Sequence, residues 1–84
     1  MCILLADDHG IVRRGMRQLL ADALPQATFG EAATCEEALR LATDQRWDLV
    51  VLDISMPGRG GLETLKGMRA ARPTVPVLIL SHHA

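Results

Sequence analysis

The chain has 84 residues, of which 49% are hydrophobic and 23% charged, and its formal net charge is −1. That is enough for one small globular domain with a modest core, and too little charge for a general attraction to nucleic acid or a membrane surface. One Phe, one Trp and no Tyr argue against a base-stacking surface.

From the N-terminus, "CILLA" (2–6) is a continuous apolar run of the kind found in parallel strands covered on both faces. Residues 10–24 follow with helical spacing. Ile11, Val12, Met16, Leu19, Leu20, Ala23 and Leu24 make an apolar stripe, and Arg13, Arg14 and Arg17 read as a solvated face. Pro25 marks the stop. "ATFGEAA" (27–33) is a weak strand suited to a sheet edge. Thr34 and Glu37 have capping-box spacing ahead of a second helix running to about Gln45. "DLVVLD" (48–53) is the strongest strand, and "ISMPGRGG" (54–61) is a Gly-rich loop. A third helix carries Leu62, Leu65 and Met68 and ends before Pro73; "VPVLILS" (75–81) is a fourth strand. Strands alternating with helices predict parallel strands joined by right-handed crossovers, in an open doubly wound α/β sheet.

Such sheets bind ligands beyond the carboxyl ends of their strands. Asp7 and Asp8 end the first strand, Asp53 the third and Ser81 the fourth. If the first and third strands are neighbours, three carboxylates and a hydroxyl converge there. Three carboxylates repel one another, and a hard divalent cation such as Mg2+ is the natural compensation. A carboxylate can itself take a phosphoryl group; Asp53, alone at its strand end beside a glycine-rich loop, suits that role, leaving Asp7 and Asp8 to hold the metal. His9 reads as a solvated loop residue, His82 and His83 as chain-end residues, and Asp8 alone could also cap the first helix. Cys2 and Cys35 match no metal spacing and read as small core residues of a reducing, cytoplasmic protein. The chain contains no candidate membrane span or signal peptide.

"LLADDHGIVRRGMRQLL", "DLVVLDISMPGRGGLETLKGMR" and "VPVLILS" together resemble the receiver domain of bacterial two-component response regulators, of the subgroup related to NarL and FixJ. The resemblance covers essentially the whole chain. It implies a flavodoxin-like (CheY-like) sheet with order 2-1-3-4, built as β-α-β-α-β-α-β and incomplete, with residues 1–84 forming the N-terminal portion of one receiver domain. It implies that Asp53 is the phosphoacceptor, served by a sensor histidine kinase, and that Asp7, Asp8, Asp53 and the backbone carbonyl of Ser55 hold Mg2+. Ser81 matches the switch hydroxyl; Pro57 and Gly61 match positions that shape the loop after the third strand. Such a module is a signalling element rather than an enzyme.

In the same frame, the fifth strand, with the lysine that contacts the phosphate, lies beyond this sequence, as does any DNA-binding output domain. The one lysine, Lys66, falls in the third helix. The expectation is weak magnesium binding, slow or undetectable phosphorylation, and self-association through the exposed fourth strand, as a dimer or domain swap. The alternatives are a Mg2+-dependent phosphohydrolase with an aspartate nucleophile, and a non-catalytic, self-associating fragment.

Overall fold

A computed structural model describes residues 1–56 and 60–80. Pro57, Ser81, His82 and His83, on which some of these expectations fall, lie outside the described residues. The elements are β1 (Cys2–Ala6), α1 (Gly10–Ala23), β2 (Thr28–Ala32), α2 (Cys35–Asp44), β3 (Leu49–Asp53), α3 (Gly61–Ala71) and β4 (Val77–Leu80). The four strands are parallel and ordered β2-β1-β3-β4, so the expected order is correct and the weak strand is an edge.

Alternation along the strands divides the core in two. Leu4, Ala6, Val50 and Leu52 point to one face, where they pack with Cys35, Ala38, Ala42, Met56 and Met68. Ile3, Leu5 and Val51 point to the other, meeting Met16 and Leu20 of α1 and Phe29 of β2. The first face carries α2 and α3, which pack on each other. The second carries α1 alone among the described helices. Cys35 is buried and Cys2 half-buried, and both are free thiols.

Local signals explain the element ends. The Thr34 hydroxyl accepts from the Glu37 N–H at 3.1 Å, which caps α2. The Glu37 carboxylate closes the box one residue further back than expected, on the Ala33 N–H at 2.8 Å. Gly61 opens α3 where a Cβ would lie 2.3 Å from the Ile54 carbonyl oxygen, so only glycine fits that approach. Gly30 is constrained by a side chain instead of backbone, since its Cβ would lie 2.3 Å from the Trp47 ring. Trp47 is fixed there by its indole N–H, which donates to the Leu41 carbonyl at 2.8 Å.

The apolar stripe expected on α1 does not pack as predicted. No α1 residue is fully buried; Ile11 is 86% exposed and Leu19 71%. The side chains turned toward the sheet are Arg13, Met16 and Leu20, a stripe at i, i+3, i+7. Ile11 and Leu19 lie off that line, and no second helix on this face reaches them among the described residues. Leu19 instead borders an apolar groove of about 240 Å³ with Met16, Leu20, Leu49, Val51, Leu78 and Leu80.

Candidate functional site

Register alone brings the acids together. Ala6 of β1 pairs with Leu52 of β3, so Asp7 and Asp53 are one step beyond the last pair, at the carboxyl edge. Both continue the alternation of Ile3, Leu5 and Val51 and so belong to the α1 face. Both are fully buried, whereas the Asp8 side chain is about a third exposed. One ligand atom each from Asp7, Asp8, His9 and Asp53 lies within 4.8 Å of all the others. The expected convergence of Asp7, Asp8 and Asp53 is therefore present.

Short-range bonds orient the two buried acids. Asp53 Oδ1 accepts from the Ser55 N–H at 2.9 Å and from the Ser55 hydroxyl at 2.7 Å. Asp7 Oδ1 accepts from the His9 N–H at 2.8 Å, and the Asp7 N–H donates to the Ala32 carbonyl at 3.0 Å, which ties the loop after β1 to the end of β2. Ser55 is thus beside Asp53, with its amide and hydroxyl turned to the carboxylate.

His9 is not the isolated loop residue that the sequence suggests. Its Nδ1 lies 3.0 Å from Asp7, 3.2 Å from Asp8 and 3.7 Å from Asp53. The hydrogen bond to Asp7, then the charge of Asp8, hold its pKa above the usual 6.5, with smaller help from the charges of Asp7 and Asp53 and against a desolvation that lowers it. His9 is also the N-cap of α1, with no side-chain capping bond, so Asp8 does not cap that helix. One donor atom each from three carboxylates and an imidazole gathers there; the three carboxylates suit a hard cation, whereas the imidazole nitrogen is a donor of the kind transition metals take.

A second polar cluster flanks this one. In β2, Phe29 and Glu31 share the α1 face. Arg13 Nε donates to Glu31 Oε1 at 2.7 Å, Arg13 Nη1 donates to the Asp7 carbonyl oxygen, and Arg17 Nη1 donates to Glu31 Oε2. The Arg17 guanidinium also lies 5.6 Å from the centre of the Phe29 ring. Of the three arginines expected on a solvated face, Arg14 is exposed and Arg17 is still about half exposed while paired with Glu31, whereas Arg13 turns inward. The signal that could have found them is the i, i+4 spacing of Arg13 and Arg17 opposite a lone acid at an inward position of the edge strand.

Among the described residues, no helix is long and apolar enough to cross a membrane. A family model described as the response regulator receiver domain matches residues 3–84. The chain is 35% identical over 79 residues to the response regulator GacA of Pseudomonas aeruginosa, covering 94% of this chain and 37% of that protein. It therefore spans little more than a third of the length of such relatives. A LuxR-family two-component response regulator from Aurantimonas superposes with a TM-score of 0.85 at 38% identity, over 99% of this chain and 59% of that one. The complex of histidine kinase ThkA with response regulator protein TrrA matches with a TM-score of 0.86 at 30% identity, over 99% of this chain and 70% of the matched chain.

Proposed function

This chain belongs to the response regulator receiver-domain family, and on that premise we propose that it takes a phosphoryl group from a sensor histidine kinase onto Asp53. The observation that carries the proposal is the meeting of Asp7, Asp8 and Asp53 at one strand edge, with ligand atoms within 4.8 Å. In this reading an Asp53 oxygen attacks the phosphorus of a phosphohistidine. The P–N bond breaks, the kinase imidazole leaves, and an aspartyl phosphate remains. Asp7, Asp8, Asp53 and the Ser55 carbonyl would hold Mg2+, which would offset the charge gathered between carboxylates and phosphoryl oxygens. Ser55 supports the chemistry by fixing Asp53 through Oδ1. Ser81 is proposed as the hydroxyl that responds to the phosphate; it lies outside the described residues. The likeness to a regulator solved with its kinase supports a kinase partner, and such a partner's catalytic side implies a cytoplasmic setting.

The test is magnesium titration by isothermal calorimetry, with acetyl phosphate labelling read by peptide mass. We expect weak binding, lost in Asp8→Asn and Asp53→Asn, and a slow Mg2+-dependent adduct on Asp53. Slowness is expected because the one lysine of this sequence, Lys66, is exposed on α3 rather than at the strand edge that carries the acids. A wild type that binds no magnesium, or an adduct that forms on another residue, overturns the proposal.

A further inference from the structure

The loop that carries the acidic pair needs something to hold it, and α1 supplies little packing. No residue of α1 is fully buried, and its apolar hold on the sheet comes from Met16 and Leu20. The polar hold is more direct. The guanidinium of Arg13 reaches two elements at once: Nη1 donates to the Asp7 carbonyl, and Nε donates to Glu31 on β2. Its plane and forked donors make that double contact possible; an ammonium has no such fork.

Glu31 is held in turn. Arg17, one helical turn after Arg13, donates to its other oxygen. Glu31 is shifted to lower pKa, first by the hydrogen bond from Arg13, then by the bond from Arg17 and both charges, against a burial that pushes upward. It therefore remains a carboxylate across the neutral range. The result is a continuous brace: α1 to Glu31 on the edge strand, and α1 to the backbone of the first acid.

We propose that Arg13, held by Glu31, is a positioning residue for the acidic cluster, fixing the Asp7 backbone so that Asp7 and Asp8 face Asp53. The inference rests on the metal reading above and goes beyond it, since neither side chain is one of the four of the cluster and Arg13 meets it only through the Asp7 backbone carbonyl. Partners that orient the ligands of a metal typically matter about 10–100-fold in affinity.

The experiment measures Mg2+ affinity by calorimetry and the 15N–1H amide shifts of residues 7–9, with folding stability followed separately by urea. Arg13→Ala is expected to weaken Mg2+ binding about tenfold and to move the Asp8 and His9 amides without added metal. Glu31→Gln, which keeps the shape of the side chain and cannot form the charged brace, is expected to do the same to a smaller degree, and it carries the test if Arg13→Ala does not fold. The two changes combined should be less than additive, since they break one unit. Arg13→Lys should recover little, because a lysine cannot bond both partners in the fork geometry. Met16→Ala, on the same stripe of α1, should lower stability and leave the Mg2+ affinity unchanged. Wild-type affinity in Arg13→Ala or, where that variant does not fold, in Glu31→Gln overturns the inference alone, as does an equal loss in Met16→Ala. Absence of magnesium binding in the wild type overturns the metal site and this inference with it.

Discussion

Asp53→Asn is the sharpest test of the electrostatics. The substitution keeps the shape of the side chain and the Oδ1 acceptor that Ser55 bonds at 2.9 and 2.7 Å, so packing changes little. What it removes is a charge placed within 4.8 Å of two others. At an effective dielectric of about 20, each like-charge pair at that separation costs roughly 3.5 kcal/mol. The Asp8 share is reduced because that side chain is partly in water, and His9, 3.7 Å from Asp53, offsets more in its imidazolium form. A net gain on the order of 1–3 kcal/mol is expected for Asp53→Asn in metal-free buffer at neutral pH, or a melting temperature higher by several degrees. The assay is urea or thermal unfolding with and without EDTA and Mg2+. Magnesium at about 100 times its Kd stabilises the wild type by about 2.7 kcal/mol, so the gap between the two proteins should narrow or reverse as metal is added. A variant equal to or less stable than the wild type in EDTA would refute the claim that the three carboxylates repel.

The pH dependence follows from His9. Its raised pKa contributes stability below about 6.5 that is lost as the pH rises through the raised value; in the same window, loss of the imidazolium should strengthen Mg2+ binding, and a Kd flat across pH 6–9 would contradict it. Gly30→Ala should destabilise by about 1–3 kcal/mol in urea, because the new methyl lies 2.3 Å from a Trp47 ring fixed by Leu41. Self-association through the apolar groove and the β4 edge should appear as concentration-dependent sedimentation, and Leu78→Lys, which charges a half-exposed residue lining both, should shift the chain toward monomer; an unchanged profile would place the contact elsewhere.

The strands and the acidic edge were legible because both follow from the chain alone. An apolar run of five residues defines β1 and one of four defines β3, and an acid follows each run, so parallel pairing places Asp7 beside Asp53. The face of α1 was not legible. Its most apolar residues, Ile11 and Leu19, point away, and the inward stripe begins with an arginine. Hydrophobic spacing assumes that burial decides the orientation of a helix; here a lone acid at an inward position of an edge strand takes part in that choice. Glu31 was hidden because β2 is short and only weakly alternating. His9 was missed because its role depends on three carboxylates from two strands, which no local window contains.

The unequal cover of the two sheet faces also bears on how the molecule breathes. Backbone amides of β1 and β3 sit in the middle of the sheet, and α2 and α3 pack on each other over one side of it. By contrast, α1 has no buried residue of its own; its departure would uncover Ile3, Leu5 and Val51 along with Met16, Leu20 and a set of ion pairs. Native-state hydrogen exchange should therefore find the central strands among the slowest amides and α1 among the fastest to open. Such an opening would carry Arg13 away from Asp7 and Glu31, so an element expected to open early is also the one proposed to keep the acidic edge in shape.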